Sequence, residues 1–407
     1  MAVGDGTLSA LSAVPGVRLA TVAAGIRYPD RRDLVMFEFA EQAVVAGTFT
    51  RNAFCAAPVH VARDHWRNGP GVRYWLVNTG NANAGTGDVG MRDAMACCRG
   101  VAERGGVGPG AVMPFSTGVI GEPLPTDPIC AALPSLFAGL REDGWADAAQ
   151  GIMTTDTRPK GASRQIEYQG QVFTLTGIAK GAGMIRPNMA TMLAFLATDL
   201  AASGEFLQSL LTEAVGYSFN RITVDGDTST NDACVLVATG CAGNPVLVNR
   251  DQALARLFAD ALNALCLELA QQLIRDGEGA GKYVEVRVQG GREPDECMTV
   301  AYTVAESPLV KTALFASDPN WGRILAAIGR AGVADLDVDR VTLAIGDVLI
   351  AENGTRAASY TEERGQTAMA SEDLVIHIDL GRGEASGSVW TTDLGHEYVR
   401  INADYHT

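Results

Sequence analysis

The stretch Lys180-Gly-Ala-Gly-Met-Ile-Arg-Pro-Asn-Met-Ala-Thr-Met-Leu-Ala-Phe-Leu-Ala-Thr-Asp199 joins a glycine-rich segment to an apolar run near the middle of the chain. The glycines give a flexible backbone that leads through Pro187-Asn188 into the apolar run. Residues 191–197 have the length and composition of a buried strand. The sequence therefore predicts a strand that begins at Thr191.

Thr191 has two interpretations. Threonine is an ordinary strand residue, because β-branched side chains favour strands. A threonine freed at a chain N-terminus instead has an α-amine of pKa about 7.7–8.0 beside its hydroxyl, and this amine can act as the base for a hydroxyl nucleophile. Such an enzyme needs no histidine. The five histidines here are not spaced like metal ligands, and the sequence has no Gly-x-Ser-x-Gly motif that would supply a serine nucleophile. Both interpretations stay open on these residues alone.

The composition excludes several classes of protein. The chain has 407 residues, of which 47% are apolar and 19% are charged, so it can bury a sizeable core in two or three domains. Its 47 acidic and 32 basic residues give a net charge of −15, which argues against a nucleic-acid partner. No apolar run reaches the roughly 18 residues of a membrane span, and the N-terminus has no signal-peptide pattern. We expect a cytoplasmic enzyme without a membrane partner.

Two polar segments imitate ligand-binding loops. The segment 225–232 has the aspartates of a calcium loop, but Gly226 is second and Leu236 twelfth, which does not fit that motif. It predicts a polar turn or the lining of a polar pocket. The segment 277–282 resembles a phosphate loop with one residue too few, and Tyr283 follows its lysine. It predicts a loop that ends a helix, from which Glu278 could reach a ligand.

No metal site is expected from the cysteines. The eight cysteines contain no CxxC pair, so they predict reduced thiols.

The hydrophobic pattern divides the chain near residue 281. Before it, strands are predicted at 34–38, 43–49, 73–78 and 171–176, and helices at 91–104, 129–140, 204–219 and 251–275, the last capped by Asn249. After it, the segments 283–288, 298–304, 341–350 and 374–380 alternate like strands, with one helix near 323–332. The pattern predicts a layered α/β architecture with a smaller C-terminal α/β unit.

The stretch at 180–199 closely resembles the signature of the ornithine acetyltransferase family, the bifunctional glutamate N-acetyltransferases of arginine biosynthesis. Seven further blocks resemble that family in its own order and span nearly the whole chain. They are TRNAFCAAP at 50–58, LVNTGNANA at 76–84, PFSTGVIG at 114–121, ITVDGDTSTND at 222–232, SPLVKT at 307–312, DPNWGR at 318–323 and YVRINADY at 398–405.

The resemblance implies a self-processing enzyme. The chain would be cleaved between Ala190 and Thr191 into an α chain, 1–190, and a β chain, 191–407. Thr191 would then be the nucleophile that takes acetyl from N2-acetylornithine and passes it to glutamate, with ping-pong kinetics. The implied fold is a layered αββα sandwich over 1–280, like that of the aminopeptidases, with a C-terminal α/β domain over 281–407. The implied assembly is an α2β2 heterotetramer.

The resemblance also assigns site residues. Thr117 and Gly118 match the family's oxyanion hole, in which a hydroxyl and a backbone N–H stabilise the developing oxyanion. The implied substrate contacts are Thr154, Lys180, Thr191, Glu278, Asn402 and Thr407. Among these, Lys180 suits an α-carboxylate and Glu278 suits the δ-ammonium of acetylornithine. No metal or bound cofactor is implied, although some family members also use acetyl-CoA as a co-substrate and others only recycle acetyl groups.

Two rival functions remain. An N-terminal-nucleophile aminopeptidase or amidase would hand the acyl group to water. An uncleaved homologue would bind a ligand without catalysis.

Overall fold

The computed structural model describes residues 2–186 and 192–404, in which sixteen strands form three sheets beside eleven α-helices. The strands are β1 Val17–Val22, β2 Leu34–Phe39, β3 Val44–Phe49, β4 Tyr74–Asn81, β5 Val112–Val119, β6 Lys160–Tyr168, β7 Gln171–Lys180, β8 Leu193–Thr198, β9 Ile222–Thr223, β10 Ala233–Ala238, β11 Tyr283–Gly291, β12 Thr342–Ile345, β13 Val348–Glu352, β14 Thr355–Arg356, β15 Asp373–Asp379 and β16 Ala385–Thr392. The helices are α1 Ala57–Asn68, α2 Gly87–Gly105, α3 Thr126–Ala138, α4 Trp145–Gly151, α5 Gly204–Tyr217, α6 Ala253–Arg275, α7 Pro294–Ala305, α8 Pro308–Phe315, α9 Trp321–Gly329, α10 Glu362–Met369 and α11 His396–Asp404.

Two of the sheets pack face to face. The first has the strand order β1-β2-β4-β5, and the second has the order β3-β10-β8-β7-β6. Side chains alternate across a strand, so each strand sends every second residue into the layer between the sheets. Phe37 and Trp75 of the first sheet meet Phe195 of the second there, with ring centroids 5.2 and 5.7 Å from that of Phe195.

Helices cover the outer face of each sheet. The intervening residues of the first sheet, such as Met36 and Leu76, pack against α2 and α3. Those of the second sheet, such as Leu196 and Leu236, pack against α5 and α6. The resulting order of helix, sheet, sheet and helix confirms the expected αββα sandwich.

Local signals explain where the outer helices begin and end. Four predicted helices are confirmed as α2, α3, α5 and α6. The side chain of Ser203 caps α5 by accepting a hydrogen bond from the Phe206 N–H at 3.3 Å, and α2 is followed by Gly106 at φ 66°. The prediction that Asn249 caps α6 is wrong. Gln252 holds the cap position, and Asn249 accepts from the Asp251 N–H in the preceding turn.

The third sheet, β14-β13-β12-β15-β11-β16-β9, contains two departures from the predicted pattern. The predicted strand at 298–304 lies in α7, because Cys297, Val300, Ala301 and Val304 form a buried stripe at helical spacing. The run at 341–350 is a hairpin, β12 and β13, that turns at Gly346.

The C-terminal region also has more helices than the single one predicted. The structure confirms a helix there as α9 and adds α7, α8, α10 and α11. The division at residue 281 stays a prediction, and β9 pairs with β16 across it. Within the described ranges, no helix has both the length and the apolar character needed to cross a bilayer.

Candidate functional site

A cavity opens beside the ends of β5 and β7. It collects every predicted site residue that lies in the described ranges, although these residues come from five separate segments. They are Thr117, Gly118, Thr154, Lys180, Glu278 and Asn402. The cleavage residues Ala190 and Thr191 and the substrate residue Thr407 lie outside the described residues.

The oxyanion pair predicted at Thr117 and Gly118 sits at the end of β5. This strand runs parallel to β4, with Thr79 opposite Thr117 and Gly80 opposite Gly118. Gly118 has φ 137°, and a Cβ there would lie 2.3 Å from the carbonyl carbon of Gly80. Only glycine fits this position, because any side chain would collide with the neighbouring backbone.

Lys180, the last residue of β7, is buried at 3% exposure and faces the hydroxyl groups of Thr117 and Thr154. Its Nζ donates to Thr117 Oγ1 at 2.8 Å and to Thr154 Oγ1 at 3.2 Å. Since the Thr117 oxygen accepts from Lys180, its own proton is free to donate into the cavity. Burial lowers the pKa of Lys180, and the charge of Asp156 opposes that shift.

Asp156 joins the backbone at Gly181, directly after Lys180, to the backbone at Thr154. Its Oδ1 accepts the Gly181 N–H at 2.7 Å, and its Oδ2 accepts the Thr154 N–H at 2.9 Å. Burial favours the neutral acid, but the ammonium groups of Lys160 and Lys180 outweigh it and lower the pKa of Asp156. Sequence reasoning missed this residue, because an aspartate in a polar loop gives no sign of burial.

A second aspartate fixes the glycine-rich segment. Asp225 accepts the N–H groups of Met184 and Ile185 at 2.6 and 3.0 Å, and also the Tyr398 hydroxyl at 3.2 Å. It therefore ties the segment after Lys180 to α11.

Glu278 lies directly on the backbone of Gly183. A Cβ at Gly183 would be only 2.4 Å from Glu278 Oε2, so the missing side chain leaves the room that the carboxylate occupies. The same Oε2 accepts a hydrogen bond from Asn402 Nδ2 at 2.8 Å. The segment 277–282, which follows α6, thus presents a carboxylate to the cavity, as predicted from its sequence.

The polar turn after β9 lines one wall of the cavity through Ser229, Thr230 and Asn231, which favours the pocket-lining interpretation over a plain turn. Asn231 Nδ2 donates to the carbonyl oxygens of Ala82 and Ser116 at 2.7 and 2.9 Å. These bonds join the turn to the segment that holds Thr117.

Asp232 stands next to this wall and is buried. Its Oδ1 accepts the Met192 N–H at 3.0 Å, while Oδ2 has no hydrogen-bond partner among the described residues. Burial raises the pKa of Asp232 well above its usual range. A buried carboxyl group with a raised pKa therefore accepts a hydrogen bond from Met192, the residue that follows Thr191.

The described ranges contain no group of three or more His, Cys, Asp or Glu side chains placed to hold a metal ion. All eight cysteines are free thiols.

Comparison with known proteins supports the resemblance over the whole chain. The sequence pattern of the ArgJ family matches residues 18–407. The arginine biosynthesis bifunctional protein ArgJ of Pseudomonas syringae pv. tomato is 55% identical over 407 residues, which is 100% of both chains. The protein of the same name from Methylococcus capsulatus is 55% identical over 397 residues, covering 98% of this chain and 97% of its own.

One solved structure is similar over half of the molecule. The arginine biosynthesis bifunctional protein ArgJ of Bacillus halodurans is 39% identical, with a TM-score of 0.50. The match covers 52% of this chain and 98% of the solved chain.

Proposed function

Because this chain belongs to the ArgJ family, we propose that it is a glutamate N-acetyltransferase of arginine biosynthesis, which transfers acetyl from N2-acetylornithine to L-glutamate. The observation that carries the proposal is the single cavity that gathers Thr117, Gly118, Lys180 and Glu278. Acetyl transfer from N2-acetylornithine needs hydrogen-bond donors for the oxyanion, a cation that binds the α-carboxylate of the donor and an anion that binds its δ-ammonium. These groups can supply all three.

The proposed cycle begins with self-cleavage. The Thr191 hydroxyl attacks the carbonyl carbon of Ala190, the peptide bond becomes an ester, and water hydrolyses the ester. This leaves Ala190 with a carboxylate and Thr191 with a free α-amine. The amine is the base that a threonine hydroxyl otherwise lacks.

Acetyl transfer then uses the freed threonine twice. Its oxygen attacks the acetyl carbonyl while the α-amine takes the hydroxyl proton, and the oxyanion accepts hydrogen bonds from the Thr117 hydroxyl and the Gly118 N–H. The α-nitrogen of ornithine leaves with the proton, and acetyl-threonine remains. The α-amine of glutamate attacks this ester, which gives N-acetylglutamate and free Thr191.

The charged residues orient the donor in this proposal. The Lys180 ammonium pairs with the substrate α-carboxylate next to the Thr154 hydroxyl, and Glu278 accepts the δ-ammonium. We propose Asn402, which holds the Glu278 carboxylate, and Thr407 as further substrate contacts.

The length of the solved homologue supports the proposed cleavage. Residues 191–407 are 217 of 407, or 53% of the chain. The Bacillus halodurans chain matches 52% of this protein over 98% of its own length, so it is about as long as the β chain that cleavage would leave.

An intact-mass spectrum of the purified protein beside the Thr191→Ala variant tests the cleavage. We expect two species that sum to the full chain plus one water, with the break before Thr191, and a single full-length species for the variant. A wild-type chain that stays whole would remove the α-amine on which the mechanism depends, and would favour the non-catalytic binding protein.

A second assay tests the reaction itself. Incubation with acetylornithine and glutamate should release ornithine and form N-acetylglutamate in equal amounts. Release of acetate without acetylglutamate would replace the transferase with an amidase.

Three finer features remain proposals of the same kind. Acetyl-CoA as a second donor is tested by formation of acetylglutamate without acetylornithine. The α2β2 heterotetramer is tested by native mass spectrometry, and the cytoplasmic location by cell fractionation.

A further inference from the structure

A second cavity shares Thr154 and Thr155 with the site just described and is lined by Arg27 and Arg31. We propose that Arg31 in this cavity binds the side-chain carboxylate of the acceptor amino acid while its α-amine attacks the acetyl-enzyme. The inference deepens the proposed function and rests on it. It assigns acceptor specificity to residues outside the predicted site.

The second cavity lies one strand away from the acyl-transfer site. Thr79 and Gly80 of β4 line it, and these residues are the register partners of Thr117 and Gly118 on β5. Neighbouring strands lie about 4.8 Å apart. The α-nitrogen and side-chain carboxyl carbon of glutamate are four bonds apart, or about 5 Å when extended. The extent of glutamate is therefore comparable with the spacing of the two strands that line the two cavities.

The guanidinium of Arg31 is hydrogen-bonded through Nη2, and its other N–H groups remain available. Its Nη2 donates to the carbonyl oxygens of Met153 and Thr154 at 2.6 and 3.0 Å. A guanidinium has five N–H groups, so three remain. Across the described parts of the chain, those three have no hydrogen-bond partner and no carboxylate forms an ion pair with Arg31. An anion entering the cavity can use them.

The other charged groups nearby leave the cavity attractive to an anion. Asp33 also lines it, but its two carboxylate oxygens accept the backbone N–H groups of Ala24 and Ile26, each at 2.6 Å. Arg27 pairs with Glu122 at 3.3 Å, and both side chains are partly exposed, so this pair is weak and can yield to a ligand.

Binding in the second cavity would keep the side-chain carboxylate of glutamate away from Glu278 in the first cavity. Glu278 suits the δ-ammonium of the donor, and the same carboxylate would repel the side-chain carboxylate of glutamate. Binding the acceptor's side chain beside Arg31 separates the two charges. A phosphate of acetyl-CoA fits this position less well, because the long pantetheine arm separates it from the acyl group.

The test compares glutamate with glutamine, its neutral isostere, as acceptors of the acetyl group in Arg31→Gln. We expect the ratio of kcat/KM for glutamate to that for glutamine to fall about tenfold or more, since a hydrogen bond to a charged group is lost. The ratio is informative because both acceptors meet the same acetyl-enzyme, so any disturbance of Thr154 affects both. Arg31→Lys, which keeps the charge, should retain part of the preference.

Arg32→Gln is the matched control. Arg32 follows Arg31 in the chain, but its side chain pairs with Asp147 at the surface, so the acceptor ratio should not change. An unchanged ratio in Arg31→Gln would overturn the inference, as would a rise in the KM for acetyl-CoA without a change in the ratio. Ornithine release from acetylornithine by the wild type separates these outcomes from failure of the proposed function, because that step needs no acceptor.

Discussion

Gly183 leaves room for the Glu278 carboxylate, and a side-chain carbon at this position would lie 2.4 Å from its Oε2. In Gly183→Ala the flexible carboxylate would move and the backbone would stay, because Gly183 has an ordinary φ. The hydrogen bond proposed between the Glu278 carboxylate and the δ-ammonium of acetylornithine would then be lost. We therefore expect the KM for acetylornithine to rise about tenfold or more. Steady-state kinetics measure this, and circular dichroism should show an intact fold.

Gly108→Ala is the control for that substitution. Gly108 also has an ordinary φ, of −74°, and a Cβ there meets no atom within 4 Å. Its KM should match the wild type. Equal KM values in Gly183→Ala and Gly108→Ala would mean that the position of Glu278 does not matter for the donor.

The lowered pKa of Lys180 predicts how kcat/KM for acetylornithine depends on pH. Burial lowers its pKa, so its ammonium is present below the shifted pKa and is lost as pH rises through it, earlier than for a free lysine. If the ammonium binds the α-carboxylate of the donor, kcat/KM for acetylornithine should fall on the alkaline side. A guanidinium stays charged throughout this range, because the pKa of arginine is far higher. In Lys180→Arg the alkaline fall should therefore move to higher pH, and a fall at the same pH in both proteins would assign it to another group.

The C-terminal helix α11 is predicted to belong to the site. Its Asn402 holds Glu278, and its Tyr398 donates to Asp225, which in turn fixes the glycine-rich segment. Removal of the last six residues should therefore lower kcat/KM for acetylornithine by about tenfold or more, because Glu278 loses a charge-assisted hydrogen bond.

An Asn402→Ala variant separates this effect from fraying of the chain end. It should reproduce a large part of the loss while keeping α11 complete. Full activity in the truncated protein would remove the C-terminal segment from the site.

Individual elements were predictable to different degrees. The buried stripes of α2, α3, α5 and α6 repeat at helical spacing over two turns or more, so the sequence pattern identified them. In α7, which has twelve residues, the buried positions are separated by two threonines and by the partly buried Met298 and Tyr302. Such a short run satisfies the strand and helix patterns alike, and only its packing on the third sheet decides between them.

The strand order of the second sheet predicts that the two chains stay together after cleavage. Its order β3-β10-β8-β7-β6 places β8 and β10, which follow residue 191, between strands that precede it. Cleavage before Thr191 would leave these strands hydrogen-bonded and the layer between the sheets buried. The two chains should co-elute in native size-exclusion chromatography and separate only in denaturant. Separate elution in native buffer would show that the sheet is not shared as described.

The amino-acid sequence by itself determined the alternation that builds the sandwich, most of its helices, and the residues that match a family of acetyltransferases. These depend on local periodicity and on short motifs, which can be read along the chain. Only the tertiary structure decided that Asp156 and Asp225 hold the glycine-rich segment, and that Arg31 opens into a cavity next to the site. The physical reason is that burial and pairing of a charged side chain depend on residues distant in sequence, which folding brings within hydrogen-bond distance.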